Sequence, residues 1–290
     1  MRRFAALYRR LDGITGNLAR LAALRAYFET APPDDAAWAV YFLAGGKPTQ
    51  LVPTRVLYEA MLAVTSLPEW LVDESYDAVG DLAETIALLV PDGVAHDDTG
   101  LAQWMQERLL PLRGQAPAAQ VAALRAMWQQ MHFWERFTSL KLITGGLRVG
   151  VSRLLVTRAL AEVASVDPKL VAQRLVGYTA RAGLPDAQAF RSLIALAGST
   201  EAANPGGQPY PFFLAHPLQA NVEQFAALLG PPRDWLIEWK WDGIRAQLVR
   251  RGGQVWLWSR GEDLITERLP ELQAVAATLP DGTVLDGEIV

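Results

Sequence analysis

The sequence of 290 residues contains no cysteine. That absence excludes disulfides, thiolate catalysis, and zinc or iron–sulfur centres held by cysteine. Only three histidines are present, His96, His132 and His216, and their wide spacing argues against a histidine-rich metal site. No apolar run reaches the roughly 18 residues that a membrane-spanning helix needs, and the apolar stretch near the N-terminus is too short for a secretory signal. We therefore expect a cytoplasmic protein with no membrane partner.

A dominant charge of one sign is also missing. The 27 basic and 31 acidic residues leave a formal net charge of −4, which excludes a chain that is cationic throughout but permits a local basic patch. Hydrophobic residues make up 51 % and charged residues 20 %, which is typical of a globular protein that can bury a core. A length of 290 residues predicts roughly two domains.

The pattern of apolar residues changes along the chain and predicts two domains of different class. Over residues 1–198 apolar side chains recur at helical spacing, and Asp167 followed by Pro168 is a typical helix start, which predicts an all-α domain. The segment 199–209 has the Asn, Pro and Gly content of a linker. Residues 210–290 carry a β-rich pattern instead.

The β-rich part contains the signal of a hairpin. Apolar residues alternate from Ile244 to Leu248, and a second β-rich run follows Gly252 and Gly253. A short helix and one more strand are expected after it. The sequence stops at Val290 inside that apolar strand, so we expect an incomplete second domain, antiparallel and β-rich, from a longer reading frame.

The sharpest local signal is segment 238–245, which reads Glu-Trp-Lys-Trp-Asp-Gly-Ile-Arg. One interpretation is an amphipathic edge strand, in which Lys240 is a solvated charge and Asp242 and Gly243 form a turn. The other is a reactive lysine. A lysine followed by Asp-Gly is common by chance, but the added glutamate two residues before it and arginine five after it are rare at average residue usage.

This segment resembles the nucleotidyl-transferase motif of ATP-dependent DNA ligases, Glu-x-Lys-x-Asp-Gly-x-x-Arg, with one residue instead of two between glycine and arginine. Ser-Arg-Gly at 259–261, with Thr266 in the trailing segment, resembles the second motif of that family. Leu-Asp-Gly-Glu-Ile-Val at 285–290 resembles the third, and Pro-Phe-Phe-Leu-Ala at 211–215 resembles the Pro-x-x-Leu-Ala lead-in. Three motifs in the family's order are far more specific than any one of them.

The resemblance implies a role for each motif residue. Lys240 would be the nucleophile that attacks the α-phosphate of ATP, and a lysine amine attacks only in its neutral form, which burial between Trp239 and Trp241 would favour. Mg²⁺ would neutralise charge on the phosphates and on the leaving pyrophosphate. The resemblance assigns adenine contact to Glu238 and ribose contact to Arg245 and Glu288. It places Arg260 near the phosphates of ATP or near the 5′-phosphate of the nick. Asp242 and Gly243 would form the turn that presents the amine, and Glu288 would also be a metal ligand.

A second signal is a basic stretch in an acidic protein. Residues 136–158 contain no acidic side chain and five basic ones, Arg136, Lys141, Arg148, Arg153 and Arg158. The Gly-rich segment 144–152 lies in its middle, and a Gly-rich turn that runs into a helix leaves N–H groups free for phosphate. It resembles the Gly-x-x-Arg-x-Gly loop in the helical DNA-binding domain of the same ligases. The residues that would contact DNA are Gly145, Gly146, Arg148, Gly150, Ser152 and Arg153.

An earlier segment, 41–47, reads Tyr-Phe-Leu-Ala-Gly-Gly-Lys and resembles a second, related segment of that DNA-binding domain. One interpretation is an internal pseudo-repeat, in which a helix leads to a glycine pair and a basic residue. The alternative is two helices that both use glycine at their C-terminal caps.

These motifs predict the front part of an ATP-dependent DNA ligase. Its all-α DNA-binding domain would be followed by a truncated adenylation domain of the nucleotidyltransferase type, ATP-grasp-like and antiparallel. ATP and Mg²⁺ are the expected cofactors, and the expected partner is nicked double-stranded DNA, bound by a monomer. A role in DNA replication, repair or recombination is not distinguished.

Two alternatives stay open. The first is another lysine nucleotidyltransferase, such as an RNA ligase or an mRNA-capping guanylyltransferase, and the long helical domain with its Gly-Arg loop argues against it. The second is a non-catalytic DNA-binding module with a decayed transferase domain. The intact residues Lys240, Asp242, Gly243 and Arg245 argue against decay.

Overall fold

The computed structural model describes residues 1–93, 98–180, 183–196, 207–212, 217–261 and 263–290. The chain divides into two compact units, Met1–Ala203 and Asn204–Val290. Most of the predicted linker 199–209 and part of the predicted lead-in 211–215 lie outside the described residues, as do His96 and His216. Within the described ranges, every helix is too short or too polar to cross a membrane.

The first unit is helical, as its apolar spacing predicts. Its α-helices are α1 (Arg2–Asp12), α2 (Asn17–Thr30), α3 (Pro33–Leu43), α4 (Thr54–Thr65), α5 (Glu69–Val79), α6 (Leu82–Leu89), α7 (Leu101–Gln103), α8 (Pro117–Trp128), α9 (Phe133–Thr144), α10 (Arg153–Ala164), α11 (Pro168–Leu175) and α12 (Ala187–Ile194). Helix α7 continues as a π-helical stretch over Trp104–Leu109. The described residues of this unit form no strand, so the all-α prediction is confirmed for them.

Several helices begin where the local chemistry predicts. Helix α11 begins at Pro168. Proline has no backbone N–H, and this costs nothing in the first turn of a helix, where the N–H groups have no partner within the helix. The carboxylate of Asp167, just before it, accepts a hydrogen bond of 2.8 Å from a first-turn N–H. Ser152 caps α10 in a similar way, with its hydroxyl oxygen 3.2 Å from the nitrogen of Leu155.

The core of the first unit is rich in large aromatic side chains. Trp38, Trp104 and Trp128 are each no more than 2 % exposed. Trp38 stacks on Phe42 of the same helix, α3, with ring centroids 5.7 Å apart. Fully burying a large apolar side chain contributes about 1.5–3 kcal/mol, so these contacts outweigh the few tenths of a kcal/mol by which helix propensities differ.

The second unit is built on a three-stranded antiparallel sheet of order β2-β1-β3. Its strands are β1 (Ile244–Arg251), β2 (Gln254–Ser259) and β3 (Val284–Ile289), and its described α-helices are α13 (Phe225–Leu229) and α14 (Pro270–Ala276). The predicted hairpin is confirmed, because Gly252 and Gly253 link β1 to β2 with φ of 55° and 73°, as a tight two-residue turn requires. The carboxylate of Asp281 accepts hydrogen bonds from both of their N–H groups, at 3.1 and 3.0 Å.

The two faces of this sheet are covered by different parts of the unit. On one face, Ala246 and Leu257 belong to a small core beside α14. On the other face, Gln247 is 2 % exposed and its carboxamide forms two hydrogen bonds with the backbone of Tyr210, one with the N–H and one with the carbonyl. Trp258 is buried on the same face. The extended segment around Tyr210 therefore lies across the sheet.

Candidate functional site

The strand order brings residues of all three sequence motifs together at one end of the sheet. Strand β1 starts where β2 and β3 end, and Arg245 lies directly opposite Glu288. On the other side of β1, Arg260 donates its backbone N–H to the carbonyl of Arg245 at 3.0 Å. Directly opposed residues of an antiparallel pair share one face of the sheet. Two of the predicted ribose contacts, Arg245 and Glu288, therefore lie side by side, and Arg260 follows the strand beside them.

Gly243 is held at this end of the sheet by close backbone contact. Its N–H donates to the carboxylate of Glu288 at 3.3 Å. A Cβ at this position would lie 2.1 Å from the carbonyl oxygen of Ile289, far inside van der Waals contact. Glycine is therefore needed here because β3 passes too near for any side chain.

Gly243→Ala is expected to separate β1 from β3 at the motif junction. The added methyl group overpacks the contact with Ile289, and overpacking of this kind costs about 1–3 kcal/mol. Amide hydrogen exchange of β3, measured by mass spectrometry, should accelerate about tenfold or more. Gly287→Ala is the matched control, since a Cβ there meets nothing within 4 Å. Equal protection of β3 in the two variants would contradict this account.

Arg245 also forms an ion pair inside the site. Its Nε lies 2.9 Å from Oδ1 of Asp286, and both side chains are partly exposed, at 36 % and 28 %. An ion pair with this exposure contributes less than about 1 kcal/mol, so it does little to stabilise the fold. Sequence reasoning did not single out Asp286. Its position two residues before Glu288 on a strand was the available signal, because alternate residues of a strand share a face.

The lysine segment itself is exposed. Residues 236–242 form no strand, and Glu238, Lys240 and Asp242 all lie on the surface. Trp239 and Trp241 are 86 % and 64 % exposed, so the expectation that they bury the amine of Lys240 is wrong for this structure. The pairing of β1 begins only at Ile244, after this segment. The structure therefore brings together Gly243, Arg245, Arg260 and Glu288. In the described part of the chain, Glu238, Lys240 and Asp242 are exposed before the sheet begins and form no hydrogen bond or ion pair with those four.

Two carboxylates lie at the motif junction, on Asp286 and Glu288. Asp286 pairs with Arg245, and one oxygen of Glu288 accepts from Gly243. In the part of the chain that the structure describes, no three acidic or histidine side chains cluster closely enough to hold a metal ion. The assignment of Glu288 as a metal ligand stays a prediction.

The Gly-rich loop of the first unit connects two well-formed helix ends. Helix α9 ends at Gly145, with φ of 69°, and Gly146 donates its N–H to the carbonyl of Lys141 at 3.1 Å. This is the glycine-capped helix end that the alternative interpretation predicted. Gly150 has φ of 62°, and Arg148, between the glycines, is exposed.

The five cations of the basic stretch have different surroundings. Arg136 is 1 % exposed, so it is no part of a basic surface. Lys141 forms an ion pair of 2.6 Å with Asp81. Arg153 is half-buried and donates to the carbonyl of Leu175.

Only two of those five cations are exposed. Arg148 and Arg158 lie on the surface, and neither forms an ion pair with any residue that the structure describes. Of the two, Arg148 belongs to the Gly-rich loop itself. It is therefore the cation of the predicted DNA-binding set that is best placed to meet an external phosphate.

The earlier glycine pair has the same backbone geometry as the later one. After α3, Gly45 has φ of 96°, and Gly46 donates its N–H to the carbonyl of Tyr41 at 2.8 Å. The equivalent bond after α9 also spans five residues, from Gly146 to Lys141. The pseudo-repeat and the glycine-cap interpretations are thus compatible. Both segments end a helix with a glycine cap, and both helices are largely buried.

A helical unit with a basic glycine loop, followed by a sheet at whose end residues of three predicted motifs meet, matches the architecture expected of a lysine nucleotidyltransferase with a nucleic-acid-binding region. Comparison with protein families names the particular group. The family described as DNA ligase N terminus matches residues 1–161, and the family described as ATP dependent DNA ligase domain matches residues 213–290. The chain belongs to the ATP-dependent DNA ligase family.

Individual relatives agree with this assignment. A probable DNA ligase of Streptomyces griseus subsp. griseus is 29 % identical over 286 residues, covering 93 % of this chain and 47 % of that protein. A DNA ligase of Hyperthermus butylicus is 24 % identical over 320 residues, covering 99 % and 51 %. A probable DNA ligase of Opitutus terrae is 32 % identical over 220 residues, covering 63 % and 20 %. The chain spans about half the length of the first two relatives and a fifth of the third.

Proposed function

We propose that this protein seals nicks in duplex DNA, with ATP as the energy source and AMP carried on Lys240. The observation that carries the proposal is the junction of β1, β2 and β3, where Gly243, Arg245, Arg260 and Glu288 meet. Family membership supports the same chemistry. The protein would act as a monomer, in two regions, 1–198 for DNA binding and 210–290 for adenylation, joined by the linker 199–209.

The first chemical step uses the amine of Lys240. The neutral Nζ attacks the α-phosphorus of ATP, a P–N bond forms, the P–O bond to pyrophosphate breaks, and Nζ loses a proton. AMP then passes from Lys240 to the 5′-phosphate at the nick. The 3′-hydroxyl attacks that phosphate and displaces AMP, so each sealed nick converts one ATP to AMP and pyrophosphate.

The residues at the sheet junction would hold the nucleotide for this step. Arg245 and Glu288 are proposed to bind the ribose, since Asp286 orients the first and Gly243 the second. Arg260 would bind phosphate oxygens from the end of β2. Glu238 would contact adenine, and Asp242 would help to shape the turn that presents Lys240. Mg²⁺ would neutralise phosphate charge, with Glu288 as its proposed protein ligand.

The test of this function is a sealing assay on a nicked duplex. The longest form of the protein that its reading frame encodes is mixed with ATP, Mg²⁺ and a duplex whose nicked strand carries a fluorophore. Lengthening of that strand on a denaturing gel supports the proposal. Sealing of nicked RNA alone, or covalent labelling from GTP instead of ATP, would replace it with the RNA-ligase or the capping reaction.

The first unit would bind the duplex through the loop 145–152. Arg148 supplies an exposed cation, and Gly145, Gly146 and Gly150 form the turns on either side of it. Ser152 caps α10 and Arg153 donates to Leu175, so these two residues would act mainly by shaping the loop. Contacts of this kind do not depend on base sequence.

Arg148→Ala is expected to weaken duplex binding equally for all sequences. The slope of log K against log [salt] is negative, and loss of one phosphate contact should reduce its magnitude by about one. Fluorescence anisotropy of a labelled duplex across a salt series measures that slope. Arg125→Ala is the matched control, because Arg125 is an exposed arginine in the last turn of α8, outside the basic stretch. A slope unchanged from the wild type would show that Arg148 is an ordinary surface residue without a phosphate contact.

A further inference from the structure

The two glycine segments of the first unit lie against each other. A Cβ built on Gly145 would lie 3.2 Å from Cδ of Lys47, so the aliphatic stem of Lys47 passes directly over this glycine. Lys47 follows the earlier glycine pair, 98 positions before Gly145 in the sequence. Its residue is exposed, and it takes part in no ion pair with the described residues. A second cation therefore lies at the start of the loop 145–152.

A third cation lies at the other end of the same loop. A Cβ built on Gly150 would lie 2.7 Å from Nη2 and 2.8 Å from Cζ of Arg20, so the guanidinium occupies the space that a side chain would need. Arg20 is on α2 and half-buried. Its Nε is buried without a hydrogen-bond partner among the described atoms, and the described part of the chain offers it no ion pair.

The packing of α2 on α10 keeps Arg20 at this end of the loop. The two helices run in the same direction, because Arg20 at the start of α2 meets Gly150 before α10, while Arg25 pairs with Glu162 near the end of α10 at 3.6 Å. That pair lies about one turn further along α2, so Glu162 does not neutralise Arg20. Both helices therefore begin beside the loop and add positive potential to that of the cations.

Three cations from three distant parts of the sequence thus converge on one loop. Arg20 and Lys47 contact its two end glycines, and Arg148 lies between them. Like charges held together repel, so an acidic neighbour would stabilise three such cations. Within the described residues none is paired to these three. The surface is arranged to receive anionic groups from outside.

We propose that Arg20 and Lys47 are phosphate-binding residues, and that with Arg148 they bind successive backbone phosphates of duplex DNA. The inference rests on the proposed DNA binding and adds two residues to it, Lys47 from the earlier glycine segment 41–47 and Arg20 from α2. The loop glycines admit the two side chains, and the side chains supply charge that the loop itself lacks at its ends. The surface would be sequence-independent, because it presents charge and no base-reading side chain.

The experiment measures the salt dependence of duplex binding for Arg20→Gln, Lys47→Gln and the double variant. Each single change should reduce the magnitude of the slope of log K against log [salt] by about one, and the double change should reduce it by about two. Arg125→Gln is the control that removes an exposed arginine elsewhere on the same unit. The thermal midpoint of each variant is measured in parallel, since Arg20 also packs on Gly150. Lys47 is exposed, so Lys47→Gln tests the proposal even where Arg20→Gln impairs folding.

The outcomes separate this inference from the proposed function. A wild-type protein with no salt-dependent duplex binding would overturn both. A salt dependence that is weaker in Arg148→Ala than in the wild type, but equal to the wild type in Arg20→Gln and Lys47→Gln, would overturn this inference alone. A lower thermal midpoint with an unchanged slope in Arg20→Gln, together with an unchanged slope in Lys47→Gln, would assign both side chains a structural role and overturn it as well.

Discussion

Replacing Lys240 with alanine is expected to abolish covalent labelling by ATP, while duplex binding by the first unit is retained. Alanine has no amine to attack the α-phosphorus, so no P–N bond can form. Lys240→Arg should fail as well, because a guanidinium stays protonated at any ordinary pH. The measurement uses ATP with a labelled α-phosphate and Mg²⁺, followed by mass mapping of the label. The sequence contains four lysines, at 47, 141, 169 and 240, so the mapping can assign the label to one of them.

The matched control for this prediction is Lys169→Ala. Lys169 is exposed in the first turn of α11, far in sequence from the motifs, and its removal should leave labelling intact. Label that persists in Lys240→Ala would move the nucleophile to another residue. A folded wild-type protein that takes no label from ATP, GTP or NAD would leave the DNA-binding module as the better account.

Arg136→Ala is expected to lower the free energy of unfolding of the first unit by about 3–5 kcal/mol, because it leaves several buried carbonyls without a hydrogen-bond partner, at about 1–3 kcal/mol each. The guanidinium is buried, and it donates to four backbone carbonyls and to one carboxylate: those of Ala87, Val90, Pro91, Met131 and Asp92. Two of these carbonyls lie at the end of α6, where no further helical N–H is available. Burial lowers the pKa of Arg136, and the nearby Asp92 opposes that shift.

Urea unfolding followed by far-ultraviolet circular dichroism measures this effect. Arg158→Ala is the matched control, because it removes the same side chain from an exposed position on α10 and should change the unfolding free energy by less than about 0.5 kcal/mol. Arg136→Met should resemble Arg136→Ala, since it restores the volume but none of the hydrogen bonds. Equal stability of the Arg136 and Arg158 variants would show that the carbonyls find other partners.

Local sequence was sufficient for the elements whose partners lie within a few residues. The turn at Gly252 and Gly253, the start of α11 at Pro168 and the glycine cap after α9 all depend on backbone preferences and on hydrogen bonds to near neighbours. The motif residues could also be recognised from their spacing. Their meeting at one end of the sheet could not, because it depends on β3 pairing with β1 across the intervening helix α14.

The sequence by itself determined the class of each unit and the hairpin, and it provided the residues that we propose for nucleotidyl transfer. The tertiary structure alone decided which charges face solvent. Arg136 and Arg148 belong to one basic stretch, yet the first is buried under carbonyls and the second is exposed. Lys47 follows the earlier glycine pair and Arg20 lies on α2, and both reach the Gly-rich loop only through packing. The physical reason is that secondary structure depends on residues a few positions apart, whereas the burial and pairing of a charge depend on whichever distant segment packs against it.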